Sequence, residues 1–129
     1  MARKQKPKPT DAELAILSVL WDRGPSTVRE VNEVLNEEKP TGYTTALKFM
    51  QIMTEKGLLL RDDSSFAHVY RPAVSEAKTQ KQVVNSLVDR AFAGSAGKLV
   101  MRALSAKKIS GEELTKIREM ITAMEDKRK

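Results

Sequence analysis

A chain of 129 residues, 40% hydrophobic and 31% charged, suits one ordinary domain or a small domain with an appendage, and allows only moderate core burial. It has no cysteine, which excludes disulfides, thiolate metal sites and cysteine nucleophiles, and its single histidine, His68, removes most imidazole chemistry. A formal net charge of +6 invites an anionic partner, but residues 10 to 74 hold 7 Lys+Arg against 10 Asp+Glu while residues 75 to 129 hold 12 against 7.

Residues 1 to 9 form a flexible basic arm, rich in Lys and Pro, with nothing to bury. The arm serves either as a solubilising tail or as an element that touches phosphate or the minor groove. No hydrophobic segment follows it, and no apolar run approaches the ~20 residues of a membrane span. A cytoplasmic protein, not inserted in a membrane, is expected.

Thr10-Asp11-Ala12-Glu13 has the form of a capping box and opens a first helix carrying Leu14, Leu17, Leu20 and Trp21, which stops at Gly24-Pro25. Trp21 is expected in the core. A second capping box, Thr27-Val28-Arg29-Glu30, opens a helix whose inward stripe is Val28, Val31, Val34 and Leu35 and which ends near Glu38. Lys39-Pro40-Thr41-Gly42 turns the chain into a third helix.

That third helix, Thr44 to Lys56, has two faces. Ala46, Phe49, Met50 and Met53 fall at i, i+3, i+4 and i+7 and must face a core. Thr44, Thr45, Lys48 and Gln51 project from the other surface, and each can hydrogen-bond a base edge or a phosphate oxygen. Thr44 is also a candidate N-cap. Gly57 stops the helix, and Leu58 to Arg61, Asp62 to Phe66 and Ala67 to Arg71 read as strand, turn and strand. The fold class is therefore mainly α: a three-helix winged helix-turn-helix with a two-stranded wing over residues 10–74, followed by a C-terminal helical dimerisation region over 75–129.

In that second region Val83, Val84, Leu87, Val88, Ala91 and Phe92 give a wide apolar face on a helix from Glu76 to Ala93. Gly94-Ser95-Ala96-Gly97 breaks it, a short segment with Leu99, Val100, Met101 and Leu104 follows, and a third capping box at Ser110 to Glu113 opens a last helix lined by Leu114, Ile117, Ile121 and Met124. Roughly 55 residues are too few to bury such faces within one chain. A homodimer is expected, clamped by Val84, Leu87, Val88, Phe92, Leu114, Ile117 and Ile121, with its two reading helices ~34 Å apart.

In order and spacing, Pro9-Thr10-Asp11-Ala12-Glu13-Leu14, Val19-Leu20-Trp21, Gly24 to Val31, Tyr43-Thr44-Thr45, Glu55-Lys56-Gly57-Leu58-Leu59 and Val69-Tyr70-Arg71-Pro72-Ala73 resemble the penicillinase repressors, the BlaI/MecI/CopY family of winged-helix regulators, over nearly the full length. The resemblance implies a dimeric repressor on a palindromic DNA operator, with a membrane-bound sensor protease system as the inducing partner and cleavage within the C-terminal helices. By position it implies Thr44, Thr45, Lys48 and Gln51, with Thr27 and Arg29, as the DNA-facing residues. Two departures stand out. Ser65-Phe66 occupies the wing tip where relatives often carry Gly-Arg, and the cysteine-rich metal site of the copper-responsive branch is absent.

Arg61 and Arg71 flank the wing and are candidates for phosphate contact or for plain solvation. No nucleophile, base and orienter occur together, so no catalytic residue, metal or cofactor is expected. The reading is a sequence-specific DNA-binding transcriptional repressor, and the alternative is a winged-helix protein-protein interaction module, favoured by the acidic balance of residues 10 to 74.

Overall fold

The computed structural model describes residues 8–129; most of the basic arm, residues 1–7, lies outside the described residues. Eight elements follow in order: α1 (Asp11–Arg23), α2 (Val28–Glu38), α3 (Tyr43–Glu55), β1 (Leu59–Asp62), β2 (Val69–Pro72), α4 (Glu76–Ala91), α5 (Ala96–Ala106) and α6 (Gly111–Lys127). The chain forms two compact units that divide within α4, Met1–Val84 and Asn85–Lys129, past the boundary at residue 74 expected from sequence.

In the first unit the caps act as read. Thr10 Oγ1 accepts from the Glu13 amide at 3.2 Å while the Glu13 carboxylate accepts from the Thr10 amide at 2.9 Å. The Thr27 and Glu30 pair repeats those distances at the start of α2. Each box satisfies two amides that the first turn would leave orphaned. The core gathers Ile16, Leu17 and Leu20 of α1, Val28 and Val31 of α2, Ala46, Met50 and Met53 of α3, and Leu58, Leu59 and Tyr70 from the wing. Trp21 packs on its edge, half-buried, and its indole N–H donates to the Val74 carbonyl at 3.1 Å, fastening α1 to the segment that leaves the wing.

The wing is an antiparallel pair with Leu59 opposite Pro72, Leu60 opposite Arg71, Arg61 opposite Tyr70 and Asp62 opposite Val69. Between α3 and β1 the chain reverses at Gly57, whose φ of +84° admits no side chain without strain; the Leu58 amide then donates to the Met53 carbonyl at 2.8 Å. A contact with no local signature completes the sheet. Ser26, in the loop between α1 and α2, exchanges both backbone hydrogen bonds with Tyr70, at 3.0 and 2.8 Å.

Glu13 does more than cap. It is 2% exposed, and both of its oxygens accept from Lys56 Nζ, at 2.8 and 2.9 Å. Lys56 is the C-cap of α3, so this pair ties the far end of that helix to the start of α1. Burial alone would raise the Glu13 pKa, but the Lys56 ammonium and the Thr10 amide together hold it below the ordinary carboxylate value. Breaking a buried pair costs ~3 to 5 kcal/mol, less where one partner is wet. Lys56 is a third exposed. Glu13→Ala is therefore expected to lose about 2 to 4 kcal/mol in urea unfolding. Because the folded pKa is depressed, this stabilisation is fully present above the ordinary carboxylate pKa and is lost as pH falls from there through the lower folded-state pKa. The acid transition of the wild type should be correspondingly steeper than that of Glu13→Ala.

In the second unit, α4 ends at Ala91, and Ala93 (φ +50°) with Gly94 (φ +82°) makes the left-handed turn before Ser95 caps α5. At α6 the expected box is half formed. Ser110 Oγ accepts from the Glu113 amide at 3.1 Å, but the Glu113 carboxylate takes the Ser110 hydroxyl at 3.3 Å and leaves the Ser110 amide unclaimed by it. Neither α5 nor α6 buries a single residue.

Candidate nucleic-acid interface

The third helix starts one residue earlier than the sequence suggests, with Gly42 as N-cap and no side-chain cap. Thr44 is therefore the second residue of α3 and not its N-cap, which leaves its hydroxyl to point outward. Thr44, Thr45, Lys48 and Gln51 are all exposed, and among the described residues none makes a side-chain hydrogen bond within the chain. Directly behind them Ala46, Met50 and Met53 are fully buried. Burying that stripe fixes the rotation of the helix, and the rotation presents the polar set to solvent as one surface.

Thr27 and Arg29 differ from each other. Thr27 Oγ1 is committed as an acceptor to the Glu30 amide, so only its hydroxyl hydrogen remains to meet an anion. Arg29, the second residue of α2, is exposed and has no ion-pair partner among the described residues. It is the unencumbered cation of the pair.

On the wing the two arginines part company. Arg61 shares a strand face with Leu59 and Tyr70 and looks toward α3, where it lines a groove with Gln51, Thr54, Glu55, Asp63 and Tyr70. Arg71 stands on the other strand face with Leu60, Asp62 and Val69, along a second groove that Pro25, Arg61 and Asp63 also line. Residues opposite one another alternate faces along a strand pair, so one arginine cannot follow the other. Arg61 is also engaged: its Nε lies 2.8 Å from Asp63 Oδ1, and the Tyr70 hydroxyl, then Asp63, raises its pKa. Asp63 Oδ1 in turn sits 2.7 Å from His68 Nδ1. At the tip, Asp62 accepts from the Ser64 amide at 2.9 Å; the Ser64 hydroxyl first, and this amide second, lower its pKa, and Phe66 stands fully exposed.

Two exposed apolar residues near the polar surface escaped the sequence reading. Tyr43 opens α3, and Ile52 stands beside Lys48. The spacing leaves Ile52 outside the core stripe of Ala46, Phe49, Met50 and Met53, and the packing agrees: Ile52 is exposed, whereas Phe49 packs half-buried against the core.

In the apolar faces assigned to dimerisation, Val84, Leu87, Leu114 and Ile121 are exposed in the single chain, while Phe92 and Ile117 are half-buried. Val88 is 7% exposed. Most of its surface is already spent inside one protomer, so it has the least left to give to another.

Three helices on one small core, a two-stranded wing after the third, and a polar outer surface on that third helix define a winged helix-turn-helix protein of the DNA-binding type. No helix among the described residues is long and apolar enough to cross a membrane. The family model described as the penicillinase repressor matches residues 9–123, and the chain belongs to that family. It is similar to the penicillinase repressor of Bacillus licheniformis, 23% identical over 126 residues that cover 98% of each chain. Over 63 residues it is 38% identical to the transcriptional regulator BlaI of Mycobacterium tuberculosis, covering 48% of this chain and 46% of that one. Among solved structures it resembles the solution structure of the DNA-binding domain of the repressor BlaI, with a TM-score of 0.51 and 25% identity over 58% of this chain and 92% of that one. The monomeric form of Bacillus licheniformis BlaI, solved in complex with the blaP half-operator, is similar at a TM-score of 0.50 over the same shares. These relatives are a penicillinase repressor and transcriptional regulators of the BlaI type, not enzymes.

Proposed function

We propose that this chain is a cytoplasmic transcriptional repressor that binds a palindromic operator as a homodimer, with α3 in the major groove. The observation that carries the reading is α3 itself: a helix whose inner Ala46, Met50 and Met53 are fully buried and whose outer face offers Thr44, Thr45, Lys48 and Gln51 to solvent without internal partners. Lys48 is suited to guanine O6 and N7 and Gln51 to adenine, while the threonines, Thr27 and Arg29 suit phosphate. Arg71 is a phosphate candidate from the outer face of the wing, and Arg61 becomes one only by leaving Asp63. The half-operator complex of a relative supports the same use of the scaffold.

Dimerisation is supported by what α5 and α6 leave uncovered. Val100, Met101, Leu104, Leu114, Ile121 and Met124 are all exposed, an amount of apolar surface that a monomer rarely leaves to water. Derepression by a sensor-linked proteolytic signal rests on membership of the penicillinase repressor family.

Selection of bound sequences from a random DNA pool with the full-length protein tests the reading. A two-fold symmetric motif with half-sites about one helical turn apart is the expected result. No enrichment, together with weak salt dependence, would transfer the weight to the protein-interaction module, for which the acidic balance of residues 10 to 74 speaks.

A further inference from the structure

Beyond Tyr43 at its first residue, α3 carries one outward apolar side chain that neither its core stripe nor its polar face accounts for. Ile52 is 38% exposed, although Met50, two residues before it, and Met53, directly after it, are fully buried. Thr45, Lys48 and Ile52 fall at i, i+3 and i+7, so Ile52 stands in line with two of the candidate DNA-facing residues and directly beyond Lys48. The groove between α3 and the wing is lined from α3 by Gln51, Thr54 and Glu55, and Ile52 is not among them. Its own unit therefore leaves it facing outward.

A β-branched aliphatic on a surface that otherwise offers hydroxyls, an ammonium and an amide gains only if something apolar meets it. The floor of the major groove presents one such feature, the C5-methyl group of thymine. Resting on the reading of α3 as the operator-binding helix, we infer that Ile52 is a specificity-determining residue that contacts a thymine methyl in each half-site. The four residues from Lys48 to Ile52 advance about 6 Å along the helix axis. Successive base pairs are ~3.4 Å apart, so the thymine lies about two base pairs from the position met by Lys48. One methyl removed from water against Ile52 corresponds to about a fourfold change in affinity per half-site.

Uracil removes that methyl and nothing else. The operator recovered by the wild-type chain is prepared with uracil replacing each thymine in turn, symmetrically in both half-sites. Binding is measured by fluorescence anisotropy at matched salt for wild type, Ile52→Val and Ile52→Ala. At one thymine, about two base pairs from the Lys48 contact, wild type is expected to lose about fifteenfold across two half-sites. Ile52→Val should keep part of that preference, and Ile52→Ala should bind the thymine and uracil operators equally. Thermal midpoints should agree within a few degrees, because the side chain is exposed. Indifference of the wild type to uracil at every thymine, or an undiminished uracil penalty in Ile52→Ala, overturns the inference while leaving the operator reading in place. A pool that yields no motif removes both.

Discussion

Lys48→Ala combined with Gln51→Ala is expected to abolish the motif recovered from a random DNA pool while leaving the thermal midpoint and the sedimentation profile unchanged. Both side chains are exposed and make no hydrogen bond within the described residues, so the fold loses nothing when they are shortened. The operator complex loses its base contacts. At ~1 kcal/mol for each pairing, the low end of the usual range, two residues in each of two half-sites make ~4 kcal/mol, about a thousandfold. Non-specific binding through phosphate contacts should survive, with a salt slope shallower by about one per phosphate only where Lys48 also touches the backbone. A variant that returned the wild-type motif would remove these two residues from the reading role. Arg29→Ala offers the contrast: it should weaken binding to all sequences alike and leave the motif intact.

Leu87→Asp is expected to give monomers at micromolar concentration and to lower operator affinity by about a hundredfold or more. Leu87 is 37% exposed in the single chain, with the exposed Val84 one turn before it on α4, so an aspartate there stays hydrated and the protomer keeps its fold. Against a second copy the carboxylate would have to shed its water, at several kcal/mol per ion and twice over in a two-fold interface. A separated reading head then binds one half-site without the gain of ~10²–10⁴ that linkage of two heads supplies. Sedimentation velocity and anisotropy on the same samples read both effects. An unchanged sedimentation profile would refute the part assigned to this face of α4. Val88→Asp would be a poor substitute, since Val88 is buried within one chain and its loss would confuse folding with assembly. Ile121→Asp, exposed on α6, tests the other half of the proposed clamp by the same measurements.

Much of this protein could be read residue by residue. The capping boxes at Thr10 and Thr27, the stop at Gly57, the hairpin after it, whose strands are expected at Leu58 to Arg61 and Ala67 to Arg71 and form at Leu59–Asp62 and Val69–Pro72, and the two faces of α3 all depend on neighbours within a turn or two, and such neighbours are adjacent in sequence. Spacing places Thr44, Thr45, Lys48 and Gln51 on one surface because 3.6 residues per turn is a local property of the backbone. The family resemblance and the local pattern met on the same residues for that reason.

Tertiary structure decided what depends on phase and on distant partners. Glu13 reads as a cap, yet it also closes on Lys56, 43 residues away, and no periodicity announces that pair. Trp21 finds Val74, and Ser26 finds Tyr70, only because the core brings α1, its following loop and β2 together. The two wing arginines look equivalent in sequence, but strand pairing sends Arg61 toward α3 and Arg71 to the opposite face. Val88 shows the same limit. Periodicity sets which side chains share an arc of a helix, whereas the neighbours that cover the arc determine which of them are enclosed, leaving Val84 and Leu87 in the open and Val88 buried.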